Sequence, residues 1–147
     1  MLAVKLAYSS QTQEPLVWRT GKIFHVLFYI TPTNVDSAGN ANPYVAGGDT
    51  LDLTQLFNLA SSAPGTLLPT YEAVVYVRIK SARPNLATGY AGLFEYQYAP
   101  GTTLANGTMQ VFTGAAAQAA LTELTAGNYP ANVLNDAILA EALFVMP

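Results

Sequence analysis

The stretch that decides the fold is Tyr90–Thr113, which reads YAGLFEYQYAPGTTLANGTMQVFT. In a β-strand, successive side chains point to opposite faces. The alternation in the first half of this stretch collects a glycine and four aromatic residues on one face: Tyr90, Gly92, Phe94, Tyr96 and Tyr98. The other face receives Ala91, Leu93, Glu95 and Gln97. The pattern predicts a strand with one aromatic face.

Two turn signals separate this strand from a second one. Pro100-Gly101 and Asn106-Gly107 favour turns, because proline presets φ and glycine tolerates the positive φ of tight turns. The chain then returns in Thr108–Phe112, where Met109 and Val111 share a face. We therefore predict a hairpin whose aromatic face needs a second layer to cover it.

Alternating residues elsewhere predict the strands of that layer. The most apolar candidate is Gly21–Thr31, which Trp18–Thr20 leads into, and it is apolar on both faces. An antiparallel strand with one wet face alternates more cleanly. We therefore expect the core to cover one face, and a loop or another subunit to cover the other. Further strands are predicted at Leu2–Tyr8, Tyr71–Lys80 and Ala137–Met146.

Two segments are less regular. After Gly47-Gly48, Leu51 and Leu53 alternate like a short strand, whereas Leu53, Leu56 and Phe57 match one helical turn. We favour a short strand followed by a turn. Ala115–Leu124 favours a short helix, because alanine is the best helix former. No helical crossovers are present to join parallel strands. Six or seven strands with little helix favour an all-β fold: an antiparallel, jelly-roll-like β-sandwich with at most one short helix.

Composition narrows the classes of function. The chain has 147 residues, which suits a single domain spanning residues 1–147. It contains no cysteine, which excludes disulfides, thiol catalysis and thiolate metal sites. Only 10% of its residues are charged, against a usual value of about 25%. We expect partners to cover much of the surface of so charge-poor a chain.

Charge and hydropathy argue against two classes of partner. The net charge is -3 and the 6 Lys and Arg residues are scattered, whereas duplex binding depends on clustered cations. No apolar run approaches the roughly 18 residues of a membrane helix. The first ten residues lack the apolar segment of a signal peptide. We expect no nucleic-acid partner, no membrane partner and no export signal.

Few residues suggest chemistry. His25 is the single histidine and lies in an apolar strand, so we interpret it as a packed or interface residue with one hydrogen bond. It lacks the partners of a zinc site, and no Gly-x-Ser-x-Gly elbow supports catalysis. Asp36–Asn42 lacks EF-hand spacing and is interpreted as an Asx-turn loop. Gly47–Asp49 is interpreted as a geometric turn, since no phosphate-loop lysine follows it. We predict no catalytic residue, no metal and no cofactor.

Three segments, taken in order, resemble capsid decoration (cement) proteins and similar small virion proteins of tailed bacteriophages. They are VAGGDTLDLT (Val45–Thr54), FEYQYAPGTTLANGTMQVFTG (Phe94–Gly114) and ELTAGNYPANVLNDAI (Glu123–Ile138), followed by an apolar strand with Phe144. The resemblance implies a β-sandwich or jelly-roll body on the outer surface of the capsid, where it holds subunits of the major capsid protein together. It implies no catalytic residues.

We therefore expect a virion structural protein that binds the major capsid protein and forms a homo-oligomer, with a trimer favoured. The predicted contact residues lie in the N-terminal segment and on the second face of the Gly21–Thr31 strand: Leu2, Val4, Leu6, His25, Leu27 and Tyr29. One alternative is a sugar- or receptor-binding module, because tyrosines stack on sugar rings when they are not buried in a core. The remaining alternative is a hydrolase that uses His25.

Overall fold

The computed structural model describes residues 2–7, 16–36, 38–56, 73–81, 94–114 and 120–145. Within these ranges the strands form two antiparallel sheets. Their bounds are β1 Ala3–Leu6, β2 Val17–Thr20, β3 Ile23–Thr31, β4 Asp49–Leu51, β5 Ala73–Ser81, β6 Phe94–Ala99, β7 Gly107–Thr113, β8 Thr122–Glu123 and β9 Ile138–Val145. The arrangement confirms the predicted all-β sandwich.

The first sheet has the strand order β1-β3-β9-β5, with β2 also paired to β3. The central pair, β3 and β9, is in register from Ile23 opposite Val145 to Ile30 opposite Ile138. β1 and β2 lie one after the other along the same edge of β3. Gly21, at a φ of 62°, makes the turn from β2 into β3. Trp18–Thr20 therefore belongs to a strand of its own and pairs with β3.

The second sheet contains the predicted hairpin. Its order is β4-β7-β6, and β8 pairs with β7 beyond the end of β4. The hairpin loop is held by Asn106, whose Oδ1 accepts a hydrogen bond from the Thr103 N–H at 2.8 Å. A Cβ on Gly101 would collide with the same oxygen. The turn therefore requires glycine at this position because of a close approach to Asn106.

The core lies between the two sheets, and strand alternation decides which side chains enter it. The first sheet contributes Val4, Leu6, Val26, Phe28, Ile30, Ile79, Ile138, Ala140, Ala142 and Phe144. The second sheet contributes Leu51, Tyr96, Met109 and Val111. Each large aliphatic or aromatic side chain buried in this way stabilises the fold by about 1.5–3 kcal/mol. The predicted faces of the hairpin are confirmed for its described residues.

The structure corrects the prediction of at most one short helix. Two short helical segments occur in the described part of the chain: residues 54–56 and the helix Ala131–Leu134. The predicted helix Ala115–Leu124 is wrong at its C-terminal end, because Thr122–Glu123 pairs with β7 as a strand. Residues 115–119 lie outside the described residues.

The strand predicted at Tyr71–Lys80 is observed as β5, but its alternation is interrupted. The register shifts between Val74 and Tyr76, which is a β-bulge. A bulge adds one residue on one strand, and the sequence pattern did not predict it. Beyond the bulge, Tyr76 is exposed and Ile79 is buried, as predicted. Other predictions lie outside the described residues, among them those for Tyr8, Tyr71, Tyr90–Leu93 and Met146.

Candidate interaction surface

The first sheet has a second face that points away from the core, here called the outer face. Cross-strand register arranges its side chains in three rows. The first row is Trp18, His25, Leu143 and Tyr76; the second is Leu27, Glu141 and Arg78; the third is Lys5, Tyr29, Leu139 and Lys80. At the β5 edge, β6 of the second sheet contacts β5, and Glu95 and Gln97 border the outward side chains of Tyr76, Arg78 and Lys80.

Three large aromatic side chains of the outer face are exposed. Trp18 is 42% exposed, Tyr29 is 40% exposed and Tyr76 is 49% exposed. Leu27, Leu139 and Leu143 lie half-buried between them. Scattered single apolar residues are normal on a protein surface, whereas a contiguous set that spans four strands indicates an interaction site.

His25 joins two parts of this face. Its imidazole stacks on the Trp18 indole, with ring centroids 4.8 Å apart and an interplanar angle of 13°. Its Nδ1 lies 3.0 Å from Oε1 of Glu141 on the neighbouring strand. The histidine is half-buried and has a hydrogen-bond partner, as predicted. The stack and the hydrogen bond fix the orientation of both Trp18 and Glu141.

Arg78 lies directly opposite Glu141 in the register of β5 and β9. Opposite charges at such cross-strand positions are favourably placed to pair. The Glu141 carboxylate is hydrogen-bonded to His25 instead, and no Lys or Arg side chain pairs with a carboxylate among the described residues. The Arg78 guanidinium therefore has no carboxylate partner within the described part of the chain.

A shallow depression of about 190 Å³ lies beside Arg78. Its lining combines aliphatic and charged side chains: Leu27, Arg78, Lys80, Leu139, Ala140 and Glu141. The volume corresponds to one amino-acid side chain rather than to a cofactor, since ligand pockets usually have about 300–1,000 Å³.

The two sheets differ in the charge of their outward side chains. Lys5, Arg78 and Lys80 place three cations on the outer face against one carboxylate, Glu141. On β6 of the second sheet, the exposed side chains are Glu95 and Gln97. The outer face is therefore basic and aromatic, although the whole chain has a net charge of -3.

Buried tyrosines bonded to carboxylates form a separate group of polar contacts. The Tyr129 hydroxyl donates to Oδ2 of Asp49 at 2.7 Å, and the Val45 N–H donates to Oδ1 of the same carboxylate at 2.9 Å. Asp49 is only 4% exposed, so these bonds compensate for burying it. Burial, reinforced by the bond to Asp49, raises the pKa of Tyr129 above its ordinary value.

The other two tyrosines of this group, Tyr44 and Tyr96, also donate hydrogen bonds from their hydroxyls to carboxylates. The Tyr44 hydroxyl donates to Oε1 of Glu123 at 2.6 Å and accepts a bond from the Val111 N–H at 3.2 Å. Burial and the bond to Glu123 raise the pKa of Tyr44 to about 12. The Tyr96 hydroxyl donates to Asp136 at 2.7 Å, and burial is the main cause of its raised pKa. The raised pKa values keep these phenols protonated, and their hydrogen bonds join the loops to the sheets.

The remaining candidates from the sequence have structural roles. Oδ1 of Asp36 accepts hydrogen bonds from the N–H groups of Ala38 at 2.9 Å and Asn40 at 2.8 Å, which confirms the Asx-turn interpretation. The pKa of Asp36 is lowered from its ordinary value, chiefly by the hydrogen bond from the side chain of Asn40. Gly47 and Gly48 have φ values of 92° and 98°, as expected of a geometric turn. Among the described residues, no group of three His, Cys, Asp or Glu side chains forms a metal site.

The predicted contact residues divide into two groups. Leu2 and Leu6 are 0% and 2% exposed, and Val4 is 8% exposed, so these three side chains belong to the core of the chain itself. This part of the prediction is corrected, because side chains buried between the sheets are not available to a partner. His25, Leu27 and Tyr29 lie together on the outer face. Their role in an interface stays a prediction.

Sequence reasoning missed most of the residues that complete the outer face: Trp18, Tyr76, Arg78, Lys80, Leu139 and Glu141. Alternation did place Tyr76, Arg78 and Lys80 on the outward side of their strand. It did not show that β5 and β9 lie beside β3, because strand order is a long-range property of the fold. The outward positions of three sequence-distant strands become one surface only after this pairing is known.

Comparisons with family models, curated proteins and solved structures found no match. Within the described residues, no helix has the length and apolar character needed to cross a membrane.

Proposed function

We propose that this chain is a structural protein of a tailed bacteriophage, a capsid decoration protein that binds the outside of the head through its outer face. The observation that carries the proposal is the set of exposed aromatic and half-buried leucine side chains on that face. The resemblance of Val45–Thr54 and Phe94–Gly114 to cement proteins supplies the phage context. The proposal assigns the chain no catalytic step.

The size of the outer face supports a docking role. Strands are about 4.8 Å apart and rise about 3.3 Å per residue, so four strands around β3 cover about 500 Å². This area includes the charged side chains of the face as well as its apolar ones. It also approaches the roughly 800 Å² that each partner contributes to a standard interface. Adjoining loops would supply the remaining area.

Low charge supports the same proposal. In a chain with 10% charged residues, few solvated side chains keep the copies apart, so we expect neighbours to cover part of its surface. Binding to the assembled shell but not to free subunits stabilises the assembled form by mass action. The proposal includes a homo-oligomer, with a trimer favoured, on the surface of the shell.

The test is co-sedimentation of the purified protein with heads of the phage that encodes it, prepared without this chain. A double variant, Trp18→Ser with Tyr76→Ser, removes two exposed aromatic side chains from the outer face. The matched control, Val45→Ser with Leu121→Ser, removes side chains that are 58% and 45% exposed outside that face. We expect the first variant to lose at least about tenfold in affinity and the control to bind like the wild type. Failure of the wild-type protein to sediment with these heads, or equal binding by both variants, would refute the proposal.

A sugar-binding role is the second candidate, and the orientation of Trp18 favours it. One face of the indole lies on His25, and the side chain is 42% exposed. Flat, exposed aromatic rings stack on sugars. A glycan array that is silent for the wild-type protein would remove this candidate, whereas binding that Trp18→Ala abolishes would support it over the first.

A further inference from the structure

We infer that the depression on the outer face is an anchor site for a carboxylate of a partner protein, held by Arg78 and Lys80 beside Leu27 and Leu139. The inference deepens the proposed function, because it names the chemistry that the docking face recognises. It depends on the proposed function only for the identity of the partner.

The first argument is that Glu141 is bonded to His25 and not to Arg78. Arg78 lies opposite Glu141 in the strand register, yet the carboxylate is bonded to Nδ1 of His25 at 3.0 Å. The described residues thus leave the guanidinium without an acid on a face where one is directly adjacent. A planar guanidinium presents paired donors that match a carboxylate. His25 therefore positions Glu141 away from Arg78 and leaves those donors to an incoming group.

The second argument is the composition of the depression. Lys80 adds a second cation to its lining, and Leu27 and Leu139 add apolar surface. A Glu or Asp side chain, or a C-terminal carboxylate beside an apolar residue, complements both parts. A phosphate or a hydroxyl-rich sugar would leave the leucines without an apolar partner. The site therefore favours a protein segment that combines an acidic and an apolar residue.

The third argument weighs against a second copy of the same face as the occupant. A two-fold contact would bring two copies of the same basic face together. Each face has three cations, Lys5, Arg78 and Lys80, and one carboxylate, Glu141, which is already bonded to His25. Like charges brought together at an interface weaken it. The face thus complements a foreign acidic surface better than it complements itself.

The experiment is an NMR titration of the full chain with two capped tripeptides, acetyl-Leu-Glu-Leu-amide and acetyl-Leu-Gln-Leu-amide. We expect the Glu peptide to shift the methyl signals of Leu27 and Leu139 and the Nε–H signal of Arg78 with an affinity at least about tenfold higher than that of the Gln peptide. The double variant Arg78→Gln with Lys80→Gln is expected to lose this difference. The control Lys5→Gln removes a cation of the same face outside the depression and is expected to keep it.

Three outcomes would overturn the inference: equal affinity for the two peptides, no shift at these signals, or retention of the difference by the double variant. Inorganic phosphate and N-acetylneuraminic acid are titrated in parallel, and binding of either as tightly as the Glu peptide would also overturn it. Selective binding of the Glu peptide together with failure to sediment with heads would keep the carboxylate site and reject the decoration role. The two proposals therefore fail separately.

Discussion

The hydroxyl of Tyr129 offers a sharp test of how the fold is held together. Tyr129→Phe removes the 2.7 Å hydrogen bond to Asp49 and leaves the carboxylate, which is 4% exposed, with the Val45 N–H as its remaining recorded donor. The ring itself stays, and with it the edge-on packing against Tyr44 at a centroid distance of 5.4 Å. The substitution therefore isolates the hydroxyl.

A hydrogen bond to a buried charged group contributes about 1.5–3 kcal/mol. We expect Tyr129→Phe to lower the free energy of unfolding by about 2 kcal/mol. For a chain of this size, that corresponds to a decrease in Tm of about 4–8 °C. Urea denaturation at neutral pH measures the free energy, and a thermal melt followed by circular dichroism measures Tm.

The matched control is Tyr29→Phe, because Tyr29 is 40% exposed on the outer face. Its loss of free energy is expected to stay within about 0.5 kcal/mol. Tyr96→Phe provides an intermediate case, since half-buried Asp136 keeps a bond from the Ser81 hydroxyl at 2.7 Å. Equal stabilities of Tyr129→Phe and Tyr29→Phe would refute the claim that Asp49 depends on the phenol.

Three further predictions concern pH, a turn and the two faces of the first sheet. The pKa of Tyr44 is raised to about 12 in the fold, so the unfolded chain loses this phenolic proton at lower pH than the folded chain does. The free energy of unfolding is therefore expected to fall as pH rises from about 10 to 12, by up to about 1.4 kcal/mol per pH unit for each such tyrosine. Urea midpoints that stay constant over this range would contradict this prediction. Gly48→Ala is expected to destabilise the fold more than Gly39→Ala, because both positions have positive φ but only a Cβ on Gly48 would lie 2.9 Å from the Met109 carbonyl oxygen; equal losses in chemical denaturation would show that the close approach is not limiting. Leu6→Ala is expected to cost about 2–5 kcal/mol and Leu27→Ala much less, since only Leu6 is buried between the sheets; the reverse order in the same assay would invert the assignment of the faces.

Local alternation predicted which side chains share a face, and the structure confirms this for Phe24–Ile30 and Met109–Val111. Alternation does not tell which of two apolar faces is covered by the chain itself. Alternation correctly predicts that one face holds Leu2, Val4 and Leu6. The prediction that this face contacts a partner is wrong, because alternation does not show that the chain itself covers it. The burial of that face follows from the pairing of β1 with β3, which no local pattern reveals.

Short elements could not be predicted from the sequence for a related physical reason. The helix Ala131–Leu134 has four residues, which is too short for a helical period to appear in the sequence. The bulge in β5 is one extra residue in an otherwise alternating strand, so its position is decided by pairing with β9. The bond of Glu141 to His25 instead of Arg78 depends on the pairing of β3, β9 and β5. It could not be predicted from any one of these strands.

The central claim is that the outer face is open in the free protein and covered in the assembly. Trp18 is the single tryptophan of the chain and lies on that face, so replacing it biosynthetically with 7-azatryptophan gives a fluorophore that can be excited apart from the head proteins. We predict that acrylamide quenches this fluorophore efficiently in the free protein and several times less in protein bound to heads. Equal quenching in the two states would contradict the account.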